Sequence, residues 1–333
     1  MKSAPVKNTA LAISLVAASA FTAAAQDDKA KRSTEQQVLD RFAGEWKTVV
    51  TNKTAGTAGT RFPSRTWSRD GKGTVLHEES IDLATGNELP ALWRYDPEGR
   101  VYRFTMLTQN GWTIIDGTWD EKSATMTWKG KDAWGNPGSG IHRFIDKDNS
   151  GWTYVIKNPE GEVLADMSAK QTRLTASGKK ERAGAPVPKR TAEQEVLAHF
   201  VGEWKETIET NGKTSSSMVL KSWSRGGKGT VIHHDGVDTP TGEESAMIWV
   251  YDSENKVYRH AFLFPQGWSV TEGRWDEKSK TMKWHKATNS WGFSGSGSQR
   301  VIDKDHSEWT YVLKDPAGTV VVDMSGKVSR EKE

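Results

Sequence analysis

From residue 44 onward the chain alternates short apolar runs with turn residues. The runs are five to nine residues long and rich in Val, Ile, Thr, Tyr and Trp. They are separated by turn sequences such as Asp-Pro-Glu-Gly at 96–99 and Asn-Pro-Glu-Gly at 158–161. Runs of this length and composition predict β-strands. Because the connections are short, neighbouring strands are expected to form antiparallel hairpins.

A different spacing precedes the first strand. Thr34 and Gln37 have the spacing of a capping box, which predicts the start of a helix. Apolar residues then follow with helical periodicity, and Gly44 is expected to end the helix. The apolar stripe consists of Val38, Leu39 and Phe42.

The whole pattern occurs twice. Gly-Glu-Trp-Lys at 44–47 returns at 202–205, and Thr191 and Gln194 repeat the capping spacing. Each of eight Trp residues in the first half has a partner 156 to 158 residues later. We therefore predict two copies of one domain, residues 34–172 and 191–329. Each copy holds nine or ten strands, and closure into an up-and-down barrel would remove exposed strand edges. The predicted fold class is all-β: two tandem antiparallel barrels, each with a short N-terminal capping helix.

The segment between the copies is strongly basic. Residues 173–190 contain six Lys and Arg residues against the single acid Glu181, and they include Ala-Gly-Ala-Pro-Val-Pro at 183–188. No apolar periodicity is visible there. We predict an exposed, semi-flexible linker. A contact with an anionic surface or partner is the alternative that its charge leaves open.

The first 25 residues have the composition of a secretory signal peptide. Lys2 and Lys7 are followed by an apolar stretch from Ala10 to Phe21 and by three alanines, Ala23 to Ala25. The apolar stretch is too short to span a membrane. We expect cleavage after Ala25 and a periplasmic or extracellular mature protein.

Composition excludes several classes of function. The chain has 46 Lys and Arg against 43 Asp and Glu, so a nucleic-acid partner is not expected. It has no Cys, which excludes disulfides and thiolate metal sites. No apolar stretch beyond the N-terminus is long enough for integral membrane contact. We predict no cofactor and no bound metal. The oligomeric state is not predicted.

One feature still resembles a calcium loop. Asp146, Asp148 and Ser150 have the spacing of its opening, but its twelfth position, where a bidentate Glu belongs, is Lys157. The second copy repeats the pattern and also has Lys, at 314. We interpret both segments as hairpin turns.

Comparing the two copies suggests which side chains face inward. Alternate residues of a strand share one face, and we interpret the face that is better retained between the copies as the barrel interior. This places inward four sets, which are Val75, His77, Glu79 and Ile81; Trp112, Ile114 and Asp116; Met126 and Trp128; and Trp152, Tyr154 and Ile156. Ile141, Arg143 and Ile145 form a fifth set, matched by Ser298, Arg300 and Ile302.

His77 and His233 are the only His residues kept at equivalent positions, each two residues before an acid, Glu79 or Asp235. Because His titrates near neutral pH, such a pair can orient a ligand or serve as a general acid or base. The alternative is a purely structural network of buried charges balanced by arginines. Binding or structure is favoured over catalysis. The further candidates are Arg103, Asp116 and Arg143 in the first copy and Arg259, Glu272 and Arg300 in the second.

The 16 Trp residues permit three interpretations. They can fill the barrel cores, line a cavity for an apolar or aromatic ligand, or stack on sugars at the surface. Core filling is favoured, because small barrels often have filled interiors. Trp46, Trp112, Trp128 and Trp152 fit a core. Trp93, Trp134, Trp249 and Trp291 fall near turns or strand ends, and Trp134 and Trp291 are candidates for a barrel mouth.

The Gly44-x-Trp46 motif after a capped helix, repeated as Gly202-x-Trp204, resembles the calycin superfamily, which includes lipocalins and fatty-acid-binding proteins. The chain is most similar to uncharacterised secreted lipocalin-like domains of bacteria, over Thr34–Lys170 and Thr191–Lys327. The resemblance implies that the Trp closes one end of a barrel under the helix. It departs from the superfamily in two ways. Arg143 and Tyr154 lie on different predicted strands, so a carboxylate-anchoring Arg-x-Tyr is missing, and residues 163–170 contain no His for haem.

Together these observations predict a secreted protein of two barrels that binds a small apolar or aromatic molecule without catalysis. Two alternatives remain open at this point. One is an enzyme that uses His77 and His233 for acid–base chemistry in the barrel cavity. The other is a carbohydrate-binding module with exposed Trp134 and Trp291.

Overall fold

The computed structural model describes residues 32–108, 111–265 and 267–331, apart from the side chain of Asp70. Within these residues the chain forms two closed antiparallel β-barrels of ten strands each. This confirms the predicted fold class. The predicted signal peptide at 1–25 lies outside the described residues.

In the first barrel every strand pairs with its neighbours in sequence, and β1 closes the barrel against β10. The closing register places Trp46 opposite Arg173. The strands are β1 Gly44–Asn52, β2 Thr57–Trp67, β3 Leu76–Asp82, β4 Glu88–Asp96, β5 Val101–Thr108, β6 Gly111–Asp120, β7 Thr125–Asp132, β8 Pro137–Phe144, β9 Asn149–Lys157 and β10 Val163–Arg173.

The second barrel repeats this topology, with β11 closing against β20 and Trp204 opposite Arg330. Its strands are β11 Gly202–Thr210, β12 Lys213–Trp223, β13 Ile232–Asp238, β14 Glu244–Asp252, β15 Val257–Phe264, β16 Gly267–Asp276, β17 Thr281–Asn289, β18 Ser294–Val301, β19 His306–Lys314 and β20 Val320–Arg330.

A short helix precedes each barrel. Helix α1, Thr34–Val38, continues as a 3₁₀ turn, Leu39–Arg41. Its capping box is formed by Ser33 and Gln36, one residue earlier than the sequence predicted, because the Ser33 side chain is the one that reaches the free backbone N–H of Gln36. In the second copy Thr191 and Gln194 form the predicted box at the start of α3, Ala192–Val196.

The Gly-x-Trp motif joins each helix to its barrel. Gly44 has a φ of +98°, a backbone conformation that favours glycine. Two residues later, the fully buried Trp46 donates from Nε1 to the carbonyl oxygen of Phe42 at 2.9 Å. The guanidinium of Arg173 lies 4.1 Å from the Trp46 ring centroid. These contacts join the helix to the first strand. In the second copy, Nε1 of Trp204 donates to the carbonyl oxygen of Phe200 in the same way.

The basic segment between the barrels contains regular structure where a semi-flexible linker was expected. Helix α2, Ala176–Ala183, begins at Thr175, whose side chain accepts from the N–H of Gly178. Glu181 pairs with Lys47 of β1 at 2.7 Å. Pattern analysis missed this helix because polar contacts with the barrel hold it, and no apolar stripe marks it.

Two further predictions concern turns and membrane contact. The Asp146 side chain accepts backbone N–H groups from Asp148 and Asn149 between β8 and β9, which confirms a hairpin turn. Among the described residues, no helix combines the length and the apolar character that a bilayer crossing requires.

Candidate functional site

The two barrels pack against each other through their outer walls. On β3, Leu76 belongs to the core of the first barrel. Its neighbour Val75 points the other way, into an apolar cluster shared by both barrels. We call this cluster the inter-barrel core. It includes Val75, Leu92, Leu107 and Ile114 from the first copy and Val231, Ile248, Leu263 and Val270 from the second.

The face assignment from the sequence is therefore wrong on β3 and β6. His77 lies on the same face as Val75, and Trp112 and Ile114 also face the second barrel instead of their own interior. The physical reason lies in the approximate two-fold arrangement of the copies. In such an interface the same patch is used on both sides, so the residues retained between the copies are those that contact each other.

The prediction is also wrong on β8, where Phe144 is in the core and Ile145 is 75% exposed. Arg143 and Arg300 are accordingly exposed on the outer walls, and Arg300 pairs with Glu308 at 2.7 Å. On β7 and β9 the prediction was right. There Met126, Trp128, Trp152 and Tyr154 belong to the core of the first barrel.

The structure brings His77 and His233 together across the barrel boundary. Their Nδ1 atoms are 3.0 Å apart, and both rings are buried. Nε2 of His77 lies 2.7 Å from Oδ1 of Asp235, whereas Nε2 of His233 lies 3.7 Å from Oε1 of Glu79. The four residues form a chain in which each copy's acid faces the other copy's histidine.

Burial decides the charges in this chain. It lowers the pKa of His233 to about 3, so this ring is neutral at physiological pH. Burial also raises the pKa of Glu79, although the backbone N–H of Arg225 opposes that shift. Burial alone would raise the pKa of Asp235, but hydrogen bonding from His77 leaves it below its usual value.

The geometry fixes a proton arrangement. Because Asp235 is ionised, Nε2 of His77 donates to it, and one proton lies between the two Nδ1 atoms, since two N–H groups cannot point at each other at 3.0 Å. Nε2 of His233 makes no hydrogen bond within the described part of the chain. The pair is thus a buried polar contact between the barrels.

Two glutamates that sequence analysis missed flank this pair. Glu244 accepts from the backbone N–H of Thr74 at 2.6 Å and from its hydroxyl at 2.9 Å. In the reciprocal contact, Glu88 accepts from the N–H and hydroxyl of Thr230 at 2.5 and 2.8 Å. Each carboxylate enters the turn before the third strand of the opposite barrel. Their recurrence at 88 and 244, the usual copy offset, was the available signal.

The predicted arginines do not serve the histidines. Nε of Arg103 donates to Asp116 at 2.9 Å, and Nη1 donates to Asp96 at 3.0 Å. In the second copy Arg259 makes the same contacts with Glu272 and Asp252. Strand pairing places Arg103 directly opposite Asp116 on the outer wall, so these charges are neutralised locally on each barrel.

Three of these residues, Asp116, Arg259 and Glu272, line a cleft between the barrels. Its volume is about 730 Å³, within the range of small-molecule sites. Trp112 and Trp268 lie side by side on its wall, with ring centroids 5.9 Å apart and ring planes inclined by 49°. Four cations and four acids surround them, so the lining is balanced in charge. The charged lining consists of Lys129, Lys131, Arg259, Lys286, Asp116, Asp132, Glu254 and Glu272.

The remaining tryptophans divide differently from the prediction. Trp93 and Trp249, expected near strand ends, are buried in the two barrel cores. Trp134 is 68% exposed at the edge of the cleft. Its counterpart Trp291 is partly buried and stacks on Phe264 with a centroid distance of 5.1 Å. The exposed position is therefore a property of one copy only.

Sequence analysis also missed the polar residues inside the barrels. The first encloses the ion pair of Arg65 and Glu78. The second encloses Lys221 and His234 at the corresponding positions. Among the described residues, no group of three or more His, Asp and Glu side chains has the arrangement of a metal site.

Comparisons with known proteins do not assign the chain to a family. No protein-family model matches the chain, and no curated protein matches its sequence. Solved structures with similar strands include a protein of unknown function from the DUF3598 family of Nostoc punctiforme, at 8% identity over 90% of this chain and 100% of that chain, with a TM-score of 0.27.

Two more are an S-type phycobiliprotein lyase from Guillardia theta and a transferrin-binding protein B from Haemophilus parasuis. The lyase is 13% identical over 44% of this chain and 96% of its own, with a TM-score of 0.31. The transferrin-binding protein is 10% identical over 87% of this chain and 75% of its own, with a TM-score of 0.21. Likeness at this level carries no argument about function.

Proposed function

We propose that the protein is a non-enzymatic binding module that holds a small aromatic or apolar molecule in the cleft between its barrels. The cleft of about 730 Å³ with Trp112 and Trp268 on its wall carries the proposal. The two adjacent indoles offer aromatic surface on which an apolar or aromatic guest can pack. The balanced charges around them suit a ligand that is neutral overall.

The barrel interiors support this role less well. Trp46, Phe42 and Met126 fill the first barrel with fully buried side chains. His77 and His233 lie at the barrel boundary and do not line the cleft. An acid–base reaction inside a hollow barrel therefore has no supporting geometry.

Quenching of intrinsic Trp fluorescence tests the proposal. We expect N-phenyl-1-naphthylamine, a small neutral aromatic probe, to quench the wild-type protein saturably, and maltose is titrated as the sugar probe. The Trp112→Leu/Trp268→Leu double variant should lose most of that response. The matched control is Trp119→Leu/Trp275→Leu, which removes one Trp from each copy outside the cleft lining. A response that survives the first double variant would place the site elsewhere.

Carbohydrate binding is a second candidate, favoured by one observation. Trp134 exposes 68% of its surface beside the cleft, and exposed Trp rings stack on sugars. If maltose is the quenching probe, Trp134→Ala should abolish the response while Trp291→Ala leaves it, because only Trp134 is freely exposed.

Export of the protein is part of the proposal. It is supported by the basic, apolar and small-residue order of residues 1–25. N-terminal sequencing of the protein recovered from the periplasmic or culture fraction should start at Gln26. Recovery of the intact N-terminus in the cytosol alone would contradict export.

A further inference from the structure

The two barrel interiors differ at a matched pair of facing strand positions. On the first barrel Arg65 of β2 lies opposite Glu78 of β3. On the second, Lys221 of β12 lies opposite His234 of β13. Both pairs project inward, and all four side chains are buried. The two copies of one fold therefore enclose different chemistry at the same place.

In the first barrel the carboxylate of Glu78 accepts hydrogen bonds from the polar side chains around it. Oε2 of Glu78 accepts from Nε of Arg65 at 2.7 Å and from Nε1 of Trp93 at 2.9 Å. One acceptor group thus neutralises the buried cation and pairs the buried indole N–H, as buried polar groups require.

In the second barrel that carboxylate is replaced by an imidazole. Nε1 of Trp249, the counterpart of Trp93, has no hydrogen-bond partner among the described residues. The same holds for Nδ1 of His234 and Nδ1 of His260, which occupies the position of Phe104. A buried polar atom without a partner costs about 1–3 kcal/mol, and here three lie in one barrel.

The cation is retained although its carboxylate is not. Lys221 is 3% exposed, and its Nζ lies 5.8 Å from the Trp249 ring centroid. Its acidic neighbour is Glu206, whose Oε1 is 3.6 Å from Nζ, beyond ordinary hydrogen-bond distance. The interior therefore presents an ammonium group beside Glu206, an indole N–H and two imidazoles, and no carboxylate accepts from Nε1 of Trp249 as Glu78 does from that of Trp93.

We propose that the interior of the second barrel binds a small carboxylate or similar oxyanion, which takes the place that the carboxylate of Glu78 occupies in the first barrel. Nε1–H of Trp249 and the ammonium of Lys221 donate to it, and His234 and His260 complete the site. This site is separate from the cleft between the barrels.

Side-chain size and charge limit the ligand. Phe104 and Phe144 of the first barrel correspond to the smaller His260 and Val301, whereas the buried Thr48 corresponds to the larger Glu206, so a group of only a few atoms is the appropriate size. Burial, and then the charge of Lys221, hold the pKa of His234 well below its usual value.

Binding of an anion should be coupled to proton uptake. The titratable groups that act on His234 are Lys221 on β12, His260 on β15 and His77 of the first barrel, and Glu206 on β11 lies beside Lys221. Because Lys221 already faces Glu206, a bound anion is balanced when one imidazole takes up a proton. Because burial lowers the pKa of His260 to about 3 and holds that of His234 well below its usual value, affinity should increase as the pH is lowered into the acid range.

Formate, the smallest carboxylate, is the probe. Sodium formate is titrated into the full-length mature protein against sodium chloride of the same ionic strength, and the indole N–H resonances are followed by ¹H–¹⁵N NMR. Trp249→Phe and Trp93→Phe assign the two signals. The Trp249 resonance should shift saturably toward the position of a hydrogen-bonded indole, and Trp93 should stay unchanged.

Variants make the test reciprocal. His234→Glu supplies the carboxylate from the protein and should abolish the formate response. Glu78→His should create a response at Trp93. If either variant fails to fold, the comparison of Trp249 with Trp93 in the wild-type protein decides alone. An unmoved Trp249 signal, or equal shifts at both indoles, overturns this proposal. Neither result bears on the proposal that the cleft between the barrels binds a ligand.

Discussion

The Nδ1 atoms of His77 and His233 lie 3.0 Å apart across the boundary between the two barrels. A contact this short between two ring nitrogens holds a single proton, so at least one of the rings must be neutral. The contact also joins equivalent residues of the two copies, which places it on their approximate two-fold axis. The interface is thus centred on a histidine pair whose contact is lost when both rings are protonated.

Stability should fall in acid because His233 resists protonation. Its folded-state pKa is about 3, below the ordinary 6.5. A depressed pKa favours the neutral form in the fold, so this contribution is complete above pH 6.5 and is lost as pH falls toward 3. In that window His233 accounts for a slope of up to about 1.4 kcal/mol per pH unit. His233→Gln should remove this part of the slope when urea unfolding is measured between about pH 6 and pH 4.

The exposed His285 provides the matched control for this measurement. His285→Gln should leave the pH slope of unfolding unchanged. If His233→Gln and His285→Gln have the same slope as the wild-type protein, His233 is not held neutral by its surroundings.

The glutamate contacts should be stronger than ordinary surface charges. Glu244→Ala would leave the N–H and hydroxyl of the half-buried Thr74 without their acceptor, and we expect a loss of about 3 kcal/mol in the free energy of unfolding. Glu160, exposed in a hairpin turn, is the control. Glu160→Ala should change stability by less than about 0.5 kcal/mol. Equal effects of the two substitutions would refute the role assigned to Glu244.

The barrel cores should not tolerate a methyl group at Gly117. A Cβ there would lie 2.5 Å from Cζ3 of Trp128 and 2.8 Å from Sδ of Met126. We expect Gly117→Ala to cost about 1–3 kcal/mol through overpacking. Gly59, an exposed strand position whose Cβ would have only Asp82 near it at 3.8 Å, is the control. Thermal unfolding of the two variants tests whether the indole lies directly on the glycine.

The capping residue of the first helix can be identified by a pair of substitutions. Ser33→Ala should destabilise the protein by about 1 kcal/mol, because the Ser33 side chain accepts the N–H of Gln36. Thr34→Ala should have little effect, since Thr34 is the first residue inside the helix. If Thr34→Ala lowers the free energy of unfolding in urea more than Ser33→Ala does, Thr34 is the capping residue, as the sequence spacing predicted.

The local pattern of the chain was sufficient to predict the barrels. Alternating strands with short turns leave antiparallel hairpins as the only economical pairing, and the duplicated Gly-x-Trp motif identifies where each barrel begins. Trp46 and Trp204 occupy the predicted place under their helices because the helix, glycine turn and strand are contiguous in sequence. Interactions within a few residues or between adjacent strands are those that a sequence encodes locally.

Only the tertiary structure decided which face of each strand points into its own barrel. Strand alternation assigns His77 and Val75 to one face but cannot say whether that face meets a barrel interior or a neighbouring barrel. Both surroundings bury the face, and both favour similar residues in the two copies. The docking of one copy on the other made His77 and His233 partners, and it opened the cleft beside Trp112 and Trp268. Each of these contacts joins residues about 156 positions apart, a separation at which only the folded chain determines proximity.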